Sequence, residues 1–273
     1  MLDLNHYDGG KGLVFRNIIN EMPPHDIFVS GFAGGCAAAR NKRPARVNVL
    51  VDKDKRVIDA WCSMLVKNNE GIPSSELTRG ARAADIIRID EPAASPELTR
   101  LASSIKNDEV TRWILIHGCF LDVLPYLPIS KKTAVYLDPP YLMTTRSYQK
   151  RPLYRHEFST LEEHERLLLA LLGLECRVLL SGYGSGLYGR FLGDWRRVDY
   201  WTVNRAGTRV RESLWCNFAE PVRLHDYRYL GDGWRERDRI KQKTKRWVRR
   251  FDGLPVLERR AILGALEERG LLD

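Results

Sequence analysis

The residues best suited to chemistry in this chain are Asp138-Pro139-Pro140-Tyr141. Two successive prolines remove two backbone donors and fix φ. The carbonyl of Pro139 is then available to accept from a ligand. Asp138 supplies a second acceptor, and Tyr141 a ring face for stacking. Two acceptors and a π-face suit a planar base with an exocyclic amino group. Accepting both amino hydrogens draws the nitrogen lone pair out of ring conjugation, which makes the nitrogen a better nucleophile toward an electrophilic methyl group. A plain strand terminator would require neither the Asp before the prolines nor the Tyr after them.

Two further motifs suit a bound nucleotide-like group. Phe32-Ala-Gly-Gly35 follows an apolar run, and its glycines let a backbone approach a ligand closely. It lacks the GxGxxG dinucleotide fingerprint, so hydride transfer is weakly supported and a tight turn is the default. Asp52 ends the next apolar run, where an acid can accept from ribose hydroxyls or cap a helix. Five cysteines (Cys36, Cys62, Cys119, Cys176, Cys216) stand singly with no CxxC pair. No metal site is expected, and the thiols are expected to be reduced core residues of a cytoplasmic protein.

The net charge is +9, and its placement matters. Between Trp234 and Arg250 nine Lys and Arg residues face only Glu236 and Asp238, a local excess of +7. Such a block attracts polyanions, nucleic acid first; a solvated helix face is the alternative. The first twenty residues do not read as a signal peptide, and no apolar run approaches the ~20 residues of a membrane span.

These motifs must be positioned by a framework. Ile27–Gly31, Val47–Val51, Trp113–His117, Thr133–Leu137 and Arg177–Leu180 read as buried strands. Arg197–Val203 and Glu212–Phe218 read as a closing hairpin around Asn204–Thr208. Cys36–Arg40 begins a small helix. Val57–Val66 is a predicted helix with Ile58, Trp61, Cys62 and Leu65 inward. Leu161–Leu172 is another, with a capping-box start and Leu161, His164, Leu168 and Leu171 inward. For His164 a structural role is placed ahead of a chemical one. Residues 71–110 look like an excursion with short helices, including Glu97–Ile105. Two helical stretches follow Arg235, broken at Asp252-Gly253-Leu254-Pro255. The expected fold is α/β: a mostly parallel, seven-stranded, Rossmann-like sheet with helices on both faces. It forms a domain over residues 1–228, with a basic helical extension over 229–273. Ligands in such sheets sit beyond the strands' carboxyl ends, so the three motifs are expected to meet.

From about Tyr7 to Phe218 the sequence resembles the Dam-like, D12-class adenine-N6 DNA methyltransferases, especially small phage members. Tyr7-Asp-Gly-Gly-Lys11 is similar to the family's N-terminal motif, Phe32-Ala-Gly-Gly35 to its glycine loop, and Asp52-Lys-Asp54 with Trp61 to its acidic motif. Asp138-Pro-Pro-Tyr141 is similar to its catalytic motif. Thr145-Arg146, Tyr154-Arg-His-Glu157, His164, Ser181-Gly-Tyr183 with Leu187-Tyr188, and Arg211-Glu212 with Trp215 and Asn217 extend the match. The resemblance implies S-adenosylmethionine as cofactor, contacted by Tyr7, Lys11, Phe32, Gly34, Asp52, Phe120 and Asp138. It implies methyl transfer to N6 of a flipped adenine in double-stranded DNA, with catalysis by Asp138, Pro139, Pro140 and Tyr141 in the cytoplasm of a bacterial or phage-infected cell. Nucleic acid would meet Arg146 and Arg209 and, on the charge of the basic block rather than on the resemblance, Lys241, Lys243, Lys245 and Arg246.

The chain departs from the family in three places. Ser30-Gly31 stands where Glu-Pro is usual, and Cys119 where an acid often follows His-Gly. The gap from Leu121 to Leu137 is too short for a target-recognition domain. RNA as substrate and a catalytically silent nucleic-acid-binding subunit stay open as alternatives.

Overall fold

The computed structural model describes residues 2–4, 11–12, 14–70, 85–90, 110–145, 155–203 and 207–272, with 68–70 described by backbone alone. The chain divides into two compact units, Met1–Asp226 and Tyr227–Asp273.

Short runs of aliphatic and β-branched residues form one sheet in the first unit. Its strands are β1 (Ile27–Gly31), β2 (Val47–Asp52), β3 (Asp85–Asp90), β4 (Arg112–His117), β5 (Thr133–Leu137), β6 (Arg177–Gly182), β7 (Arg196–Val203) and β8 (Arg209–Cys216). They stand in the order β3-β4-β2-β1-β5-β6-β8-β7. β8 is antiparallel to both neighbours and every other pairing is parallel. β1 and β5 are buried along their whole length, as strands covered on both faces must be.

The α/β, mostly parallel expectation matches this sheet, but among the described residues it has eight strands rather than seven. The addition is Asp85-Ile-Ile-Arg-Ile-Asp90, within the segment expected to hold short helices. Its three isoleucines favour extended backbone, and it pairs outside β4. Arg88 ties the new edge to Asp90 and to Asp59 on the neighbouring helix, and such charges discourage pairing with another sheet edge. The helix expected at Glu97–Ile105 lies outside the described residues. β8 ends at Cys216, two residues before the expected Phe218. There the Asn217 side chain takes over, accepting from Val178 N–H and donating to the Cys176 carbonyl, both at 2.8 Å.

The helices of this unit are α1 (Phe15–Asn20), α2 (Ala37–Asn41), α3 (Lys55–Glu70), the single turn α4 (Phe120–Val123), α5 (Leu161–Leu172) and α6 (Gly186–Phe191). α5 begins with a reciprocal box between Thr160 and Glu163. Its buried residues are His164, Leu167, Leu168 and Leu171, whereas Leu161 is exposed. Leu161 lies at the rim of that arc in the first turn, so Leu167 takes the inward place expected for it. In α3, Cys62 is only half-buried, and Val57 joins Ile58, Trp61 and Leu65 inside. No cysteine is disulfide-bonded.

At the amino ends of the strands, the chain returning from the sheet is fastened down. His225 stacks on His25 with ring centroids 3.7 Å apart. Asp226 accepts from Arg43 N–H, and Lys42 lies 4.2 Å from the Phe28 ring centre. Burial, with Lys42 nearby, holds both imidazoles below their ordinary pKa, that of His225 at about 4.

The second unit contains α7 (Trp234–Asp252) and α8 (Val256–Glu268). At 3.6 residues per turn, Arg235, Arg239, Lys243, Arg246 and Arg250 share an arc of about 80° on α7. Lys241 and Lys245 fall outside that arc, so the four residues singled out from the sequence do not form one row. Among the described residues, no helix is long and apolar enough to cross a membrane.

Candidate active site

The strand order reverses direction between β1 and β5, where doubly wound sheets open a crevice at the strands' carboxyl ends. A cleft lies there. Its walls come from the segments after β1, β2, β4 and β5 and from residues 155–158.

The turn after β1 is held in an unusual backbone shape. Phe32 has φ of 56°, the one non-glycine residue with positive φ among the described residues, and Gly34 has φ of 43°. Positive φ at a phenylalanine costs on the order of 1–3 kcal/mol and persists only when neighbours impose it. Here they do. Ala33 N–H donates to the Val51 carbonyl at 2.9 Å. Gly34 N–H donates to Asp52 Oδ2 at 2.8 Å, and the buried Trp61 indole donates to the Gly34 carbonyl at 2.8 Å. The Phe32 ring meets Phe158 edge-on at 4.8 Å. Gly31 also has a packing reason: a Cβ there would lie 2.5 Å from the Phe120 ring. This explains a glycine at the position where the resembled family carries proline.

Asp52 fastens two pieces of backbone. Its Oδ2 fixes the glycine turn, and its Oδ1 accepts from Asp54 N–H at 2.8 Å, just before α3. A carboxylate accepts about four hydrogen bonds, so these two leave capacity toward the cleft that Asp52 lines. Burial raises its pKa, and the two N–H donors oppose that. Ser30 is buried, with its hydroxyl 3.5 Å from Cys36 Sγ.

The segment after β5 forms the inner end of the cleft. Lys11 Nζ lies 2.9 Å from Asp138 Oδ2 and donates to the Tyr141 hydroxyl at 2.5 Å. Burial opposes the charge on Lys11, but Asp138 and Glu212 outweigh it and raise its pKa. The Tyr141 hydroxyl is 3.2 Å from Asp138 Oδ1 and 3.1 Å from Glu212 Oε1. Its ring packs edge-on against Tyr183 at 4.5 Å. Burial, reinforced by the two carboxylates, pushes the Tyr141 pKa well up, so the phenol stays protonated.

His164 supports this segment from behind. It is fully buried on α5, and Nε2 lies 3.1 Å from the Pro140 carbonyl and 3.0 Å from that of Phe158. Carbonyls only accept, so Nε2 carries the proton and Nδ1 accepts from the Tyr188 hydroxyl at 2.9 Å. His164 therefore anchors the second proline rather than facing the cleft.

Of the residues singled out from sequence, Lys11, Phe32, Gly34, Asp52, Phe120, Asp138 and Pro140 line the cleft. Tyr141 stands behind its inner end, and Pro139 is buried between. Tyr7 and Arg146 lie outside the described residues. Arg209 sits at the start of β8, its guanidinium 4.5 Å from the exposed Trp201 ring. Lys241, Lys243, Lys245 and Arg246 are exposed on α7 in the second unit. Sequence reasoning gave no role to Glu212 or to the Trp61 indole; Arg155, His156 and Glu157 also stand on the cleft wall. The resembled motifs marked these positions, but the chemistry became visible only once distant strands were neighbours.

No protein-family model matches the sequence, and no curated protein matches it. Among solved structures, the chain is similar to a precorrin-8w decarboxylase of Methanobacterium thermoautotrophicum, with 11% identity, TM-score 0.38, and 77% and 91% of the two chains covered. It is also similar to a dimethyladenosine transferase from Plasmodium falciparum, with 12% identity, TM-score 0.37, and 74% and 60% covered. At these identities and scores, neither fold nor activity is inferred from the likeness.

Proposed function

We propose that this chain transfers a methyl group from S-adenosylmethionine to the exocyclic N6 of adenine in DNA. The observation that carries the reading is the meeting of two distant features in one cleft: the clamped glycine turn with Asp52, and Asp138 and Pro140 of the segment after β5 with Lys11.

The residues present fit such a cofactor. Asp52 is a strand-end carboxylate with free acceptor capacity, suited to ribose hydroxyls. Phe32 and Phe120 offer flat apolar walls, and the glycine turn offers close backbone approach. Lys11 and Asp138 stand at the reacting end. When bound, the cofactor supplies an electrophilic methyl group on a sulfonium.

The chain's own part is to hold the attacking amine. A flipped adenine would present its amino group to Asp138 and the Pro139 carbonyl, with the ring beside Tyr141. Lys11 fixes the Asp138 carboxylate, and His164 holds the Pro140 carbonyl, so the segment that carries the two acceptors is positioned before the base arrives. Positioning and electrostatics of this kind account for most of such a rate gain. The arginine and lysine row on α7 would grip phosphates, which sets affinity without reading sequence.

Incubating the protein and its Asp138→Ala variant with labelled S-adenosylmethionine and either duplex DNA or RNA tests the reading. Label in N6-methyladenine of DNA, absent with the variant, supports it. Label only in RNA moves the substrate, and label in neither polymer refutes the proposal.

A further inference from the structure

Two carboxylates share one ammonium at the inner end of the cleft. Asp138 and Glu212 both face Lys11, at 2.9 and 3.8 Å. One positive charge meets two negative ones, so the cluster is one proton short of neutral. Glu212 is only 6% exposed. Its Oε1 lies 3.1 Å from the Tyr141 hydroxyl, while its buried Oε2 has no hydrogen-bond partner among the described residues. Tyr200 faces it across the hairpin, paired in register, and Tyr183 stands beside Tyr141 at the end of β6. A buried carboxylate oxygen with no hydrogen-bond partner is costly. One added proton would neutralise the cluster.

We propose that Glu212 receives the proton released by methylation, passed from Asp138 through the Tyr141 hydroxyl. This rests on the reading of the chain as an adenine-N6 methyltransferase. The nitrogen lone pair forms the N–C bond while the C–S bond breaks, its electron pair remaining on sulfur. The nitrogen then carries a positive charge and one proton too many. That proton moves to Asp138 Oδ1, 3.2 Å from the Tyr141 oxygen. Tyr141 takes it and gives its own hydroxyl proton to Glu212 Oε1. The amine ends neutral, Asp138 and Tyr141 are restored, and Glu212 becomes a neutral acid that reloads to carboxylate between turnovers. Lys11 cannot serve in its place because it already carries its full complement of protons.

Glu212→Gln retains the size of the side chain and an acceptor for Tyr141, but it cannot take up the proton. In the full-length protein, single-turnover methylation of a DNA duplex should stay within about three-fold of wild type. Steady-state kcat should fall by at least about ten-fold, the scale of a lost proton acceptor. Proton release, followed by a pH-indicator dye, should lag methyl transfer, and Glu212→Asp should recover part of kcat. Calorimetric affinity for S-adenosylhomocysteine should be unchanged. Equal loss in single turnover and kcat would make Glu212 a positioning residue, and loss in neither would send the proton straight to water; each overturns the proposal. A second measurement is independent of the variant's folding. The ¹³C-carboxyl resonance of Glu212 in wild-type protein should be that of a carboxylate at neutral pH; a carboxylic acid there would also overturn it. Wild-type protein that methylates neither DNA nor RNA would instead refute the functional reading on which the relay stands.

Discussion

Replacing Asp52 by Asn separates its two duties. Asp52 now accepts from two backbone N–H groups, those of Gly34 and Asp54, each at 2.8 Å. Asparagine keeps one acceptor and turns an NH₂ toward the other donor. A hydrogen bond to a charged group contributes about 1.5–3 kcal/mol, and the abandoned N–H adds to the loss. Relief of a buried charge offsets part of this, because burial opposes ionisation of Asp52. A net destabilisation of about 1–2 kcal/mol should lower Tm by roughly 2–8 °C for a chain of this size. If Asp52 also holds the ribose, the affinity for S-adenosylhomocysteine should fall about 10- to 100-fold, which is 1.4 to 2.8 kcal/mol. The decisive assay is a double cycle by calorimetry, with wild type and Asp52→Asn each titrated with the ligand and with its ribose-deoxygenated analogue. Direct contact predicts a coupling of about 1 kcal/mol or more between the two changes. A lower Tm with zero coupling would show that Asp52 only holds the turn and would refute its assignment to the cofactor.

Two further outcomes follow from the charges. Neutralising Arg239, Lys243 and Arg246 on the shared arc of α7 should weaken binding to all duplexes alike and flatten the salt dependence by about 0.9 in slope for each phosphate no longer neutralised. Neutralising Lys241 and Lys245 should do less; equal effects from both sets in a fluorescence titration would remove the row as the gripping surface. Acid should destabilise the first unit through its stacked histidines. His225 has a folded pKa of about 4 against 6.5 ordinarily. The unfolded chain therefore takes up this proton first, and stability present above pH 6.5 is lost as pH falls toward 4. At 1.36 kcal/mol per unit the loss reaches about 2 kcal/mol at pH 5, and His25 adds in the same direction. Urea midpoints at pH 7.5 and 5 measure it, and a His225→Gln variant with the same slope would contradict the assignment.

Much of this fold was legible because its strands are short apolar runs stopped by chemistry. Thr133–Leu137 is bounded by polar residues and prolines, and both its ends fall where the sequence places them. The capping box at Thr160 and Glu163 likewise marks the start of α5 from local chemistry alone. Asp85–Asp90 was not legible, because an isoleucine triplet broken by an arginine has no clean period and its partner β4 lies 27 residues on. At the site, the strand-end motifs were visible because each is contiguous. Glu212 was not given a role because its meaning comes from Lys11, some two hundred residues earlier in the chain. Those two residues meet only after β8 has folded back antiparallel beside β6. His164 showed the opposite: its apolar helix face suggested a structural role, and its bonds to Pro140 and Phe158 show it buttressing the motif.

The central claim is that Asp138 and the Pro139 carbonyl hold an adenine amino group for methylation. The most direct measurement is mass spectrometry of nucleosides from duplex DNA treated with S-adenosylmethionine and either wild-type protein or Asp138→Ala. The account predicts N6-methyladenine with wild type and a fall in rate of about 10²–10³ with the variant, the scale for losing one positioned interaction. The variant should unfold at a temperature close to wild type. Methylation at a near-normal rate by Asp138→Ala, or a methyl group found on cytosine rather than adenine, would contradict it.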